Sequence, residues 1–380
     1  MARHSALIVS ITVALLVALG LVMLASTSVW IETEGQNYYH LTRQAMWVGI
    51  GLAAAVLAAS IDYRLLRRWW VVWMVGGCVL LALCYVPAVA LSGYGETRWI
   101  RVPLVGQFQP SEPAKVMIAV VLAAWFASHQ GETKRFWKGF VIPGMLLALP
   151  VGLIFFEKDM GTAAAVGVAG FAMLYAAGTR LPYLLVSATG ASCVVWHFVR
   201  NNENRWSRIE AWQHLEAHKL DFGLQQWRGL LAFGNGGLNG VGLGNGAEKH
   251  GYLPFAHTDF IFPMVGEELG LWYTLGAVLC YVLLAVFGLV IAVHASDAFG
   301  RLLAAGLTAM LVVPAMLNIA VTTAAVPNTG LPLPFVSYGG TNLTFALACV
   351  GLLVGIHRQV MYVESEPLPV DREREYALRL

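Results

Sequence analysis

HTDFIFPMVGEELGLWYTLGAVLCYVLLAVFGLVIAVH, residues 257–294, begins as a polar loop and ends as an apolar run. The run from about 264 to 294 is longer than the roughly 20 apolar residues a helix needs to cross a bilayer core of about 30 Å. Three carboxylates, Asp259, Glu267 and Glu268, stand where the loop meets that run. Acids are scarce elsewhere: 58% of the 380 residues are hydrophobic and only 12% are charged. A carboxylate at a membrane edge is costly unless it is solvated, paired or used, so each of the three is a functional candidate.

Outward from this stretch the same pattern repeats. Mean hydropathy is +0.65, outside the range of an ordinary soluble domain. Ten windows are apolar enough to span: about 6–30, 42–61, 69–92, 111–128, 140–156, 160–178, 181–199, 264–294, 301–326 and 338–357. The fifth and sixth are separated only by Glu157, Lys158 and Asp159 and form a tight helical hairpin. Alternating ten-residue segments, the mark of a membrane β-barrel, do not occur. The expectation is an all-α polytopic membrane protein with about ten transmembrane helices. A single membrane domain covers 1–362, with a large extracytoplasmic loop at about 200–263 between helices 7 and 8. A short polar tail, 363–380, follows. The first apolar segment is too long for a signal-peptide core and is expected to remain as a helix. All five cysteines lie inside expected spans, which suits core packing better than disulfides or metal ligation. The net charge of +2 is small and spread over both faces and says little about partners; no nucleic acid is expected among them.

Short loops rich in Lys and Arg set the orientation. Arg64, Arg67 and Arg68 in one loop, and Lys134, Arg135 and Lys138 in another, mark the cytoplasmic side. Arg180, Arg301, Arg358 and the tail arginines Arg372, Arg374 and Arg379 fall there too, so both termini are expected to be cytoplasmic. Trp69, Trp70, Trp137 and Trp272 sit near span ends as interfacial anchors. Four polar segments that look more specific than linkers then share the outer face: 106–115, 157–161, 200–270 and 327–340. A transporter would more often bury polar groups at mid-membrane in broken helices, and no internal repeat suggests one.

In GQFQPSEPAK, 106–115, Ser111 reads as the N-cap of a helix with Pro113 in its first turn. Glu112 and Lys115 then share a face, either as an ion pair that makes two charges tolerable in lipid or with Lys115 directed at an anionic group. In EKDMGT, 157–162, Asp159 stands at a helix N-terminus, where capping competes with a catalytic or ion-binding role. The stretch 203–228 reads as an amphipathic interfacial helix. FGNGGLNGVGLGNG, 233–246, has seven glycines, a backbone that can approach a ligand or nest a phosphate, without any nucleotide-binding pattern. His257 can orient Asp259, and Asp259 is the better catalytic candidate. Glu267 lies about 12 Å further along a helix and reads as a positioning group. PNTGLPLPFVSYGG, 327–340, has three prolines and lies in a stretch without charge, so it is expected as a buried loop with Ser337 and Tyr338 on a pocket wall.

FQPSEPAK, EKDMGT, GGLNGVGLGNG, YLPFAHTDFIF, GEELG and LPLPFVSYGG, in this order over about residues 40–360, resemble the SEDS family (shape, elongation, division and sporulation), which includes FtsW and RodA. GLGNGAEKHGYLP is closer to the FtsW branch. The resemblance implies ten transmembrane helices in the bacterial cytoplasmic membrane and a peptidoglycan glycosyltransferase that polymerises lipid II at its outer face. It places the family's catalytic aspartate at Asp259 and its paired acid and lysine at Glu112 and Lys115. It also implies a class B penicillin-binding protein transpeptidase as partner, beside other division or elongation proteins. The chain departs from the family pattern at Phe255, where a Glu is common, at Lys158, where a Pro is usual, at Pro113, and at Thr341 and Asn342.

On that footing Asp259 is expected to act as the general base of an inverting transfer. Lys115, Arg98 or Arg101 would neutralise the departing pyrophosphate. No metal cage stands in the sequence, and no cofactor is required by it; a divalent cation, Mg or Mn, is an optional further source of positive charge. The rival readings are a lipid II flippase, with acids and lysines near mid-membrane, and a non-catalytic scaffold of the division machinery.

Overall fold

A computed structural model of the chain describes residues 2–31, 38–93, 96–102 and 106–365. The expected tail, 363–380 with its three arginines, lies beyond them except for 363–365, the end of the last helix. The chain runs through α1 (Ser5–Ile31), α2 (Tyr39–Ser60), the short α3 (Arg64–Arg68) and α4 (Trp70–Ala82). Three strands follow, β1 (Ala90–Gly93), β2 (Glu96–Val102) and β3 (Gly106–Phe108), and then α5 (Ser111–Ser128), α6 (Ile142–Phe156), α7 (Met160–Ala176) and α8 (Leu181–Arg200). The long loop holds α9 (Glu203–Gln213) and α10 (Leu224–Gly236). Last come α11 (Ile261–Leu269), α12 (Leu271–His294), α13 (Ala298–Thr322) and α14 (Gly340–Ser365).

Eight helices among the described residues are long and apolar enough to cross a membrane, and two shorter apolar ones, Trp70–Tyr85 and Met160–Ala176, match the remaining expected windows. The protein is a multi-pass helical membrane protein. α13 lies in the middle, packed against α5, α7 and α12, while α2 runs along α14. That last contact is close because Gly351 has no side chain: a Cβ there would sit 2.2 Å from the Ala55 carbonyl oxygen. Small residues let membrane helices approach in this way.

Several local expectations are corrected. The third window ends early, because the chain leaves its helix at Tyr85 and enters an antiparallel sheet ordered β1-β2-β3 with Ala90 opposite Ile100 and Ile100 opposite Phe108. Ser111 does not cap α5: Pro110 is already helical, and the Glu112 and Ala114 N–H groups donate to the Gln109 and Pro110 carbonyls instead. Asp159 does cap α7, accepting from the Thr162 N–H at 3.0 Å. The 203–228 stretch, expected as one interfacial helix, is two elements tied to the end of α13. Trp212 donates to the Ala324 carbonyl, and buried Gln226 donates to those of Val321 and Val326, each at 2.8 Å.

The run that opens at 264 also breaks. Gly270 takes φ 81° between α11 and α12, and a Cβ on it would lie 2.4 Å from the Gly240 nitrogen. Glu267 and Glu268 therefore ride on a separate short helix, eight of whose nine residues are buried. Gly270→Ala is expected to lose about 1–3 kcal/mol from the left-handed backbone alone. The detergent-solubilised protein should then melt several degrees lower, and an unchanged melting point would contradict the docking of the glycine loop on α11.

Candidate active site

The four polar segments singled out in the sequence meet at one end of the bundle. β2 brings the Thr97 N–H to the Glu157 carbonyl at 3.4 Å and the Arg98 guanidinium to within 3.8 Å of Asp159 Oδ2. Gln109, just after β3, donates to the same oxygen at 3.3 Å. Asp159 is thus both helix cap and ion-pair partner. Its neighbour Glu157 is fully buried; burial and then the Asp159 charge push its carboxyl up to about 8. Lys158, between them, adopts φ 70°, a conformation closed to proline, so this turn differs from one carrying the usual Pro.

Asp259 lies one residue before Phe260, the N-cap of α11. Its backbone carbonyl accepts from the Asn318 amide of α13 at 2.7 Å, and the same amide reaches the Leu331 carbonyl at 2.6 Å. One amide therefore fixes both the acid and the 327–340 loop. The Thr258 hydroxyl donates to Asp259 Oδ1 at 2.8 Å, and a Cβ on Gly330, which stands at φ 66°, would be 3.7 Å from Oδ2. Burial pushes the Asp259 carboxyl above the usual aspartate range, and the Thr258 hydroxyl, Arg98 and Arg208 act against it. A half-buried carboxylate whose pKa burial raises, within the electrostatic reach of two guanidinium groups, is suited to taking a proton.

Ser337 and Tyr338 wall this junction through the backbone as much as through side chains. The Ser337 hydroxyl donates to the Thr258 carbonyl and accepts from the Leu333 N–H, and the Tyr338 N–H donates to the His257 carbonyl at 3.0 Å. The His257 ring lies tilted in a cluster with His40, 5.0 Å away, and Tyr338, 6.1 Å away. Gln44 of α2 closes the loop from the other side, donating to the Ser337 carbonyl at 3.2 Å.

Other expected residues stand apart. Lys115 bonds both Glu112 carboxylate oxygens, at 2.8 and 2.9 Å, and Asn342 donates to one of them at 3.2 Å. This buried pair faces a cavity of about 10 Å³ beneath Pro334, with room for about one water molecule. The ammonium is paired with Glu112, as the ion-pair reading has it. Arg101 is exposed; with period-2 alternation it lies on the face of β2 opposite to Arg98. Glu267 faces the glycine loop, accepting from the Ala247 N–H at 3.0 Å. Glu268 accepts from the Gly244 N–H at 2.9 Å, from Ser26 and from the buried Lys249 ammonium at 2.7 Å. The glycine loop, whose backbone could have nested a phosphate, nests internal carboxylates. Its backbone is also bound internally: the Val241 and Gly242 N–H groups go to the Glu267 and Glu268 carbonyls.

Asn318, Gln44, His40 and Arg208 were not singled out in the sequence. Asn318 had a signal, an amide inside a stretch without charged residues. Among the described residues no three His, Cys, Asp or Glu side chains converge.

The family model described as cell cycle protein, covering FtsW, RodA and SpoVE, matches residues 6–362. A probable peptidoglycan glycosyltransferase FtsW of Geobacter sulfurreducens is 36% identical over 356 residues, 93% of this chain and 95% of the relative. One of the same name from Coxiella burnetii is 33% identical, covering 93% and 96%. Among solved structures, a chain of a peptidoglycan synthase complex that coordinates polymerization and crosslinking superposes with a TM-score of 0.76 at 27% identity, covering 93% of this chain and 97% of that one. The rod shape determining protein RodA of Thermus thermophilus superposes at 0.68, also at 27% identity, covering 92% and 96%. The chain belongs to the FtsW/RodA/SpoVE family of cell cycle proteins.

Proposed function

We propose that this chain is a peptidoglycan glycosyltransferase that polymerises lipid II at the outer face of the bacterial cytoplasmic membrane, with Asp259 as general base. The observation that carries the reading is the placement of Asp259: half-buried, its backbone fixed by Asn318, its pKa raised by burial, where the four polar segments meet. In the reaction, Asp259 takes the proton of the acceptor sugar's 4-hydroxyl. That oxygen attacks the anomeric carbon of the lipid-linked donor as its bond to the phosphate oxygen breaks. Undecaprenyl pyrophosphate leaves and the configuration inverts. Arg98 and Arg208, whose charges reach Asp259, would offset the charge growing on the leaving group, the kind of fixed electrostatic aid that lowers such barriers. Glu112 and Lys115 support the floor of the 327–340 loop.

The similarity to a chain of a synthase complex supports a class B penicillin-binding protein as partner, and the FtsW-named relatives support a division role over elongation. Both termini then lie in the cytoplasm. The test is polymerisation of lipid II by the purified chain with its transpeptidase. Glycan strands are expected. Transport of lipid II across sealed vesicles without strand formation would replace the enzyme by a flippase.

The pH dependence follows from the base. Protonated Asp259 cannot accept the hydroxyl proton, so the initial rate should rise with pH through a value above the ordinary 3.8 of an aspartate. An acid limb at or below that value would contradict a desolvated base.

A further inference from the structure

At the end of the bundle away from Asp259, α3 carries Arg64, Arg67 and Arg68, spaced three and four apart on one helical face. The 22 residues of α2 separate this point from His40 by about 33 Å, and α13 runs a similar length from Asp297 to Asn318, so a bilayer's thickness lies between the two regions. The arginines line a cavity of about 480 Å³ with Trp70, Ser128 and Asp297. Among the described residues only one of them pairs with a carboxylate. Arg64 pairs with Asp297 at 3.2 Å and donates to Ser296 at 3.1 Å, while Asp297 also accepts from Tyr63 at 2.6 Å and caps α13 through the Gly300 N–H. Arg67 is steered by a neutral group, the Ser128 hydroxyl at 3.3 Å. Among the described residues no carboxylate pairs with Arg67 or Arg68.

The wall beside the cavity is apolar and uncovered. α4 starts at Trp70, and Val71, Val72, Val75 and Val79 along it are each more than half exposed. A site with two unneutralised guanidinium groups next to a lipid-facing helix fits a molecule that is anionic at one end and apolar at the other. Guanidinium forks match phosphate oxygens, and basic pockets at a membrane interface attract anionic head groups. We propose that the cavity between α3, the end of α5 and the start of α13 binds the phosphate head group of an anionic phospholipid, with the acyl chains along α4.

The test uses the full-length protein in nanodiscs of phosphatidylcholine with a minority of phosphatidylglycerol, and native mass spectrometry to count retained phosphatidylglycerol. Wild type should retain the lipid, and Arg67→Gln/Arg68→Gln should hold it roughly 30-fold more weakly, at about 1 kcal/mol per basic residue. Both side chains are exposed, so the variant is expected to fold with an unchanged melting temperature. Arg135→Gln removes a charge from the loop after α5 that bonds Glu132 and lies off the cavity, and it should leave retention unchanged. Equal loss in Arg135→Gln and the double variant would mean general attraction to an anionic surface and would overturn the site. So would wild-type retention in the double variant. Binding of inorganic phosphate by wild type without phosphatidylglycerol retention would make it a site for a soluble phosphate and not a lipid.

Discussion

Glu268→Ala should lower the stability of the folded protein by about 3–5 kcal/mol, the cost typical of removing one partner of a buried ion pair. Lys249 and Glu268 meet at 2.7 Å with both side chains fully buried. The Lys249 ammonium then keeps only the Ser26 hydroxyl, at 2.8 Å, and the Gly244 N–H loses its acceptor as well. The pair joins three elements distant in sequence: α1 through Ser26, the glycine loop through Gly244, and α11. Lys249→Met should be milder, because Glu268 would still accept from Ser26 and Gly244 and can take up a proton. Replacing both by apolar groups of similar volume should recover most of the loss, since burying two charges is itself expensive. Thermal unfolding of the four proteins in one detergent gives the ordering. Equal melting temperatures for wild type and Glu268→Ala would show that the ion pair does not hold the loop.

The span count was legible because each crossing must carry its own run of about 20 apolar residues, a signal that needs no tertiary information. Where a span is interrupted, that signal fails. Window 264–294 hid the break at Gly270, because α11 is apolar apart from Glu267 and Glu268 and only the left-handed glycine separates it from the helix that follows. Likewise 69–92 absorbed a strand, since Val86 to Leu91 is as hydrophobic as the helix before it. The meeting of the four polar segments could be read from their shared membrane face. What each group touches could not. Seven glycines near three acids suit a ligand's phosphate and the chain's own carboxylates equally well, and only the fold shows that Glu267 and Glu268 take those N–H groups. Arg98 and Arg101 look equivalent in sequence, and strand alternation separates them. Asn318, which fixes both Asp259 and Leu331, was a single amide whose partners lie 59 and 13 residues away.

Asp259→Asn is the second large effect, and it falls on rate while leaving stability in place. The amide has nearly the shape of the carboxylate, its oxygen can still accept from Thr258, and the backbone carbonyl bound by Asn318 is untouched. What it loses is the capacity to take a proton, which in a positioned base contributes about 10²–10⁴-fold. The stabilities should therefore match. The most direct measurement is the initial rate of glycan chain extension from lipid II by the purified complex with its transpeptidase, wild type beside Asp259→Asn, at matched melting temperatures. A loss of at least about 100-fold is expected. A variant that extends chains at the wild-type rate would contradict the assignment of Asp259 as the base.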